Sequence, residues 1–420
     1  MFDTLSASYR KKDTKILISN FFSLIVLKGF DFIIPLITFP YIVSVIGLDK
    51  FGLINFSLAF SVYFSAIIQY GFNVTSTRDI ARNRDNKDKL ASIYSVTLTT
   101  SLLLVFICFA FYALIVLSFD KFSQYQLLYW FTFLSVALKS LFPIWLFQGL
   151  ERMKYITYLS LIGKILFLVF LFLVIKEEND YIYIPLLHSI TAFLTLIAAI
   201  LIISREFKIT FKLASLAAVI KQLKYGYNAF ICQFAPNLYA NTAIFALGLF
   251  TNNSTVGIFS AASKVIDVVG SFAYILSSTF FPYISRNIGK HNVFKFIMLF
   301  TSVMLMLLLI GTADLIVSFL FKNVNENVAF YIRILSPVIP LIFMQLTFGT
   351  NYLMLIGKEQ TVKNITLSVS VISLVYSIPM IFFYGIYGTI FTLIFTRIIM
   401  VSLYYHYYSR STKEMNNEIN

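Results

Sequence analysis

Long uninterrupted apolar runs recur along this 420-residue chain, each bounded by short polar or Gly/Pro-containing stretches, and their length decides the class of structure. Crossing the hydrocarbon core of a bilayer takes about 20 apolar residues as a helix but only about ten alternating ones as a strand. The runs near 16–46, 53–75, 90–118, 124–148, 155–175 and 182–203 are continuous, as are those near 225–250, 256–282, 294–320, 329–356, 364–384 and 386–408. They predict an all-α membrane protein of about twelve transmembrane helices, the last two joined only by Tyr384 and Gly385. Composition agrees, with 59% apolar and 12% charged residues against about 45–50% and 25% in soluble domains. A large soluble catalytic domain, a secreted disulfide scaffold and a long disordered tail are excluded, and transport or lipid-facing work becomes the default.

The net charge of +14 suggests a nucleic-acid partner until the cations are located. Of 33 Lys and Arg, 23 fall in loops on the side of the N-terminus, while Lys50, Lys121, Lys176 and Lys322 alone fall on the other side. The positive-inside rule then makes both termini cytoplasmic in a multi-pass protein, with membrane lipid rather than nucleic acid as its surroundings. The polar, basic stretch 1–15 runs into an apolar segment longer than a signal peptide and without a cleavage site, so it reads as retained. Cys108 and Cys232 lie singly in apolar runs, which predicts packing rather than a redox pair. His188, His291 and His406 lack a second ligand at metal spacing, so no metal site and no cofactor are expected. Asn73-Val74-Thr75 and Asn253-Ser254-Thr255 match the glycosylation pattern by chance.

Two short motifs recur at about half the chain length. Phe51-Gly52-Leu53-Ile54 matches Val256-Gly257-Ile258-Phe259 at an offset of 205, and Gly149-Leu150-Glu151 matches Gly357-Lys358-Glu359 at 208. Six spans per half return the chain to its starting side, so the halves would be parallel repeats about an axis normal to the membrane, with a central cavity between two six-helix bundles. The expected organisation is an N-terminal bundle over 1–203, a basic cytoplasmic linker over 204–224 carrying Lys208, Lys212, Lys221 and Lys224, and a C-terminal bundle over 225–420.

The segment PIWLFQGLERMK at 143–154 resembles a motif of the Wzx-type O-antigen and polysaccharide flippases, within the multidrug/oligosaccharidyl-lipid/polysaccharide exporter superfamily. GLDKFGLINFSLAF at 47–60, TRDIAR at 77–82 and VGIFSAASKV at 256–265 are similar to the same family, so the resemblance covers most of the chain. It implies a MATE-like fold and a non-enzymatic role in polysaccharide and lipopolysaccharide biosynthesis at the bacterial inner membrane. The cargo it implies is an undecaprenyl-pyrophosphate-linked oligosaccharide, flipped from the inner to the outer leaflet by alternating access, with a polysaccharide polymerase and a chain-length regulator as further partners. The related lipid II flippases usually carry two additional helices, whereas here a short polar tail follows the last span. A multidrug/ion antiporter of the same superfamily is the alternative within transport; an integral-membrane polymerase or acyltransferase is the alternative from another class, but no catalytic constellation supports it.

Six cations lie inside the apolar runs: Lys28, Lys139, Lys164, Lys264, Arg333 and Arg397, with Asp31, Asp267 and Asp314 beside them. Each costs about 2.5–3.5 kcal/mol at a helix centre, so such residues normally face a bundle interior or a water-filled cavity. The positive balance suits an anionic pyrophosphate, which makes the six cations candidates for the substrate cavity. Lys164 and Arg397 lie nearest mid-span. Lys139 precedes Pro143, which should kink its helix and turn the lysine inward. Arg333 and Asp314 sit near the same outer end, where they can snorkel or pair. Lys28/Asp31 and Lys264/Asp267 share a three-residue spacing and hence a helix face. Each pair is either a neutralised couple without a transport role, or a site where Asp31 or Asp267 exchanges its cation for a coupling proton or sodium ion. Tyr70, Tyr225, Tyr227 and Tyr239 have the chemistry to stack on sugars, but sequence alone does not separate them from interfacial anchors.

Overall fold

The computed structural model describes residues 2–286, 288–320 and 328–419, with side chains outside 2–33, 36, 232, 235–240, 282–283, 286 and 415–419. The described chain is helical and contains no strand. Its helices are α1 (Phe2–Gln69), α2 (Phe72–Arg82), α3 (Lys87–Ser118), α4 (Asp120–Ser123), α5 (Gln126–Leu141), α6 (Ile144–Gly149), α7 (Met153–Val174) and α8 (Tyr183–Arg205). They continue as α9 (Leu216–Ala240), α10 (Thr242–Phe250), α11 (Asn253–Arg286), α12 (His291–Leu320), α13 (Val328–Leu335), α14 (Val338–Gln345), a π-helical stretch Leu346–Leu353, and α15 (Glu359–Ile419). Nine stretches of the described residues are long and apolar enough to cross a membrane. Ile37–Arg82 and Glu359–Glu414 each carry parts of two sequence-predicted spans, and the predicted span 225–250 is divided between α9 and α10 at Asn241.

Helix length alone requires turns inside the two longest elements. A straight helix of 61 residues would run about 90 Å, three times the hydrocarbon thickness of about 30 Å. In α15 the chain doubles back at Gly385, whose φ of 53° and ψ of −125° are open to glycine. Gly388 then lies so close to the Met380 carbonyl that a Cβ there would collide with it. Beyond the turn, the Tyr376 hydroxyl meets Thr396 Oγ1 at 2.6 Å and Thr366 Oγ1 meets the Tyr404 hydroxyl at 2.8 Å, pairs centred on Gly385 as an antiparallel hairpin requires. A second glycine, Gly47 at φ 72° and ψ 171°, kinks α1.

Hydroxyl residues inside the helices mostly satisfy themselves. Thr100, Thr132, Ser140 and Ser189 each donate to the carbonyl four residues back, at 2.7–2.8 Å, so they can sit in an apolar helix without an unpaired polar atom. Large apolar side chains such as Phe106, Leu114, Val375 and Phe383 are more than half exposed, as a lipid-facing surface demands.

Contacts group the chain into two compact units, one of residues 1–45 and 60–234, the other of 46–59 and 235–420. Within the first, Phe60, Phe64, Tyr112, Phe122 and Tyr129 form an aromatic cluster, and Ser61 and the Tyr112 hydroxyl meet at 3.0 Å. The stretch 204–224 packs on this unit. Lys212 N donates to Ser95 Oγ at 3.0 Å and Ala214 N to Thr99 Oγ1 at 3.2 Å, so the extended backbone after α8 finds its partners on α3.

Within the second unit the two repeated glycine motifs touch. A Cβ on Gly52 would strike the Asn253 carbonyl and Gly257 N, while one on Gly257 would strike the Leu48 carbonyl and lie 3.3 Å from Gly52 N. The other repeat is a shared turn whose register differs from the one matched by residue identity. Arg152 N bonds the Phe147 carbonyl at 2.8 Å and Lys358 N the Leu353 carbonyl at 2.9 Å, both closing a six-residue helix-terminating loop around a left-handed residue. That residue is Glu151 (φ 57°) in the first half and Gly357 (φ 77°) in the second, so the equivalent positions lie 206 apart, within one residue of the glycine motif's 205. Matching Gly149 with Gly357 aligned like residues; the backbone aligns like conformations.

Replacing Gly52 or Gly257 by valine should destabilise the protein by about 1–3 kcal/mol or more, because backbone rather than a movable side chain occupies the space. Gly311→Ala, with nothing within 4 Å of its added Cβ, should be neutral or slightly stabilising. Thermal unfolding in detergent, followed by size-exclusion profile, compares them.

Candidate functional site

A polar stripe runs along α11 at helical spacing: Ser260, Ser263, Lys264, Asp267 and Ser271. Lys264 and Asp267 are both exposed rather than packed in the core. The charges of Lys264 and of Arg397, on α15, both act on the Asp267 carboxylate. Neither Lys264 nor Asp267 forms an ion pair within 4.0 Å among the described residues, so this is not the tight neutral couple that a three-residue spacing permits. Arg397 Nη1 instead donates to Gln345 Oε1 at 3.2 Å. Gln345 is the last residue of α14 before the π-helical stretch, a geometry that recurs at functional positions because it re-aims side chains. Asn351, fully buried in that stretch, accepts from Ser277 Oγ at 2.5 Å and donates to the Ser277 carbonyl at 3.0 Å, which ties it to α11.

In the other unit, Lys139 lies in the last turn of α5. Pro143 ends that helix two residues on from Leu141, with Phe142 extended as a residue before proline must be. Lys139 is likewise exposed. Its charge reaches His188 on α8, whose ring stacks on Phe167 at 3.8 Å and 8°. Lys164, one turn before Phe167 on α7, is half-buried and has a partner.

Arg333 and Asp314 pair, with Nη2 to Oδ2 at 2.5 Å and Arg333 Nε donating to the Ile310 carbonyl at 3.3 Å. The side chains of Lys28, Asp31 and Tyr239 lie outside the described residues. Of the predicted cavity and coupling residues, the fold thus brings Lys264, Asp267 and Arg397 together, places Lys139 in the other unit and gives Arg333 its own carboxylate. Sequence reasoning missed Gln345, which carries no charge to flag it, and passed over His188, whose polarity inside an apolar run was the available signal. Among the described residues no group of three His, Cys, Asp or Glu is placed to hold a metal ion.

Comparison with known proteins adds three findings. Residues 17–288 match the family described as polysaccharide biosynthesis protein. Two curated relatives named "Putative O-antigen transporter" are 26% identical over 91% of this chain and 94% of the relative in Escherichia coli (strain K12), and 25% identical over 91% and 97% in Shigella dysenteriae. Among solved structures, lipid II flippase MurJ in an inward closed conformation superposes with a TM-score of 0.70 at 16% identity, covering 93% of this chain and 86% of that one. An inward-facing multidrug resistance MATE family transporter of the MOP superfamily gives 0.67 at 14%, covering 91% and 96%. The chain has the fold those transporters share.

Accessibility at depth is testable by chemistry. With Cys108 and Cys232 replaced by alanine, Lys139→Cys, Lys264→Cys and Asp267→Cys in nanodiscs should react with a charged methanethiosulfonate. Leu171→Cys, at 0% exposure, should not. Phe106→Cys, at 71%, should take an apolar maleimide but resist the charged reagent. Polar positions no more reactive than Leu171→Cys would mean that they face no water.

Proposed function

The chain belongs to the polysaccharide biosynthesis protein family, and from that membership we propose that it flips an undecaprenyl-pyrophosphate-linked oligosaccharide, an O-antigen or similar repeat unit, from the inner to the outer leaflet of the bacterial cytoplasmic membrane. The observation that carries this reading is the sign of the charge inside its helices: Lys139, Lys164, Lys264 and Arg397 against Asp267. Each cation is expensive in an apolar helix, and a pyrophosphate is the group that repays it through charge-assisted hydrogen bonds. The Arg397 guanidinium offers a planar fork for phosphate oxygens, and Gln345 aims it. Asp267, acted on by both Lys264 and Arg397, supplies the exchange that alternating access needs. When the cargo's phosphates engage the two cations, the carboxylate loses their field and takes a proton or sodium ion; on release it returns to them. Asp31 is proposed as a second coupling carboxylate and Lys28 as a cavity cation. The skew of basic loops supports cytoplasmic termini, which would deliver the cargo outward to a polymerase and chain-length regulator. A cation antiporter on this fold would call for carboxylates in the majority.

Proteoliposomes holding fluorescently labelled undecaprenyl-pyrophosphate-linked sugar, with an impermeant quencher outside, measure leaflet transfer. Arg397→Ala and Lys139→Ala should each slow transfer about tenfold or more, the worth of a charge-assisted hydrogen bond of about 1.5–3 kcal/mol. Asp267→Asn should lose acceleration by an imposed proton or sodium gradient while keeping downhill transfer. Unchanged transfer in both Lys164→Ala and Arg397→Ala removes the proposed phosphate path.

A further inference from the structure

Outside the charged positions inside the helices, the first unit carries an open groove of about 380 Å³ lined by Tyr70, Ile220, Leu223, Lys224 and Tyr227. Three features make it a built surface. Tyr70 sits between α1 and α2 at φ 42°, a backbone conformation that costs an aromatic residue energy and persists only where its surroundings hold it. Its ring is held: Phe230 stacks on it at 4.7 Å and 5°, and Gly226 passes so near that a Cβ would lie 3.3 Å from the ring. The helix that supplies the other wall, α9, is clamped to α2. The Tyr225 hydroxyl donates to Asp79 Oδ1 at 3.0 Å, Arg78 donates to the same hydroxyl, and Gln222 Nε2 reaches Ser76 Oγ at 3.5 Å. Tyr227, by contrast, is more than half exposed, and Lys224 is exposed beside it.

We propose that this groove is a docking site for the sugar residue next to the phosphate of the lipid-linked saccharide, used on the basic side of the membrane before translocation. A pyranose presents an apolar C–H face rimmed by hydroxyls. An aromatic ring covers that face, and tyrosine adds a hydroxyl at the edge. Ile220 and Leu223 line the groove with apolar surface, and Lys224 supplies a mobile point charge for the phosphate oxygens. Lys221, Lys224 and Arg82, with Arg78 partly offset by its partner Asp79, leave this end of the unit with the positive charge that attracts an anion. The groove rests on the reading of the cargo as a lipid-linked saccharide, but Lys139, Lys264 and Arg397 are not among its lining residues, and it acts at binding rather than transfer.

Equilibrium binding to the full-length protein in phosphatidylcholine nanodiscs tests it, with farnesyl-pyrophosphate-linked N-acetylglucosamine and plain farnesyl pyrophosphate as the two probes. The wild type should prefer the sugar-bearing probe. Tyr227→Leu, at an exposed position that leaves the fold intact, should erase about fivefold of that preference, and Tyr227→Phe should retain it. Lys224→Gln should weaken both probes alike. A preference that survives Tyr227→Leu and Tyr70→Leu overturns the groove and leaves the transport reading standing. No preference in the wild type overturns the groove, while leaflet transfer in the proteoliposome assay decides the transport reading separately. Equal loss of both probes in Tyr227→Leu, or displacement of both by phosphatidylglycerol with no sugar preference, makes the groove a lipid-headgroup contact and overturns the proposal.

Discussion

Inside hydrocarbon no water is available to a peptide group, so every backbone amide has to find its partner within the chain, and the helix is the local way to do so. This single requirement sets the element lengths, forces α15 to turn back at Gly385, and explains why hydroxyls such as Thr132 and Ser140 bond to their own helices. It also makes any polar group that is not so satisfied conspicuous. Arg397 turning to Gln345, and Asp267 feeling the charge of Lys264 and Arg397 without a contact pair, are costly against that background, which is why they carry the functional argument.

The two copies of the turn motif that recurs along the chain resemble each other in backbone conformation more clearly than in side chains. The Glu151 and Gly357 turns share the same hydrogen bonds although one position holds glutamate and the other glycine. Glutamate in a left-handed conformation costs about 1–2 kcal/mol. Its carboxylate is paired with Arg84 at 2.7 Å, and Arg84 Nε also holds the Gly149 carbonyl at 2.8 Å, so α2 and the turn after α6 are tied by the residue that strains the backbone. The glycine motif behaves differently: Gly52 and Gly257 are both required, because each is the space into which the other's helix fits.

The candidate site was half legible. Charged residues in apolar runs are rare enough to be picked out one by one, and Lys139, Lys264, Asp267 and Arg397 were. What each does was not legible, because spacing along one helix says nothing of the helix opposite. Lys264 and Asp267 share a face yet make no ion pair within 4.0 Å, whereas Arg333 and Asp314, 19 residues apart, close to 2.5 Å. Sequence alone left Tyr70 and Tyr227 open between sugar stacking and interfacial anchoring; only the close passage of α9 beside Tyr70 puts both in one groove.

By itself the sequence determined the helical membrane class, the hairpin turn at Tyr384–Gly385 and the set of residues too polar for their surroundings, because hydrophobic length and the price of a buried charge are local properties. The tertiary structure decided which of those residues meet, which turn out to be partnered at a distance along the chain, and where the repeats align. Those depend on helix rotation and on neighbours brought from far away in sequence, and a hydropathy pattern records how deep a residue lies, not what stands beside it.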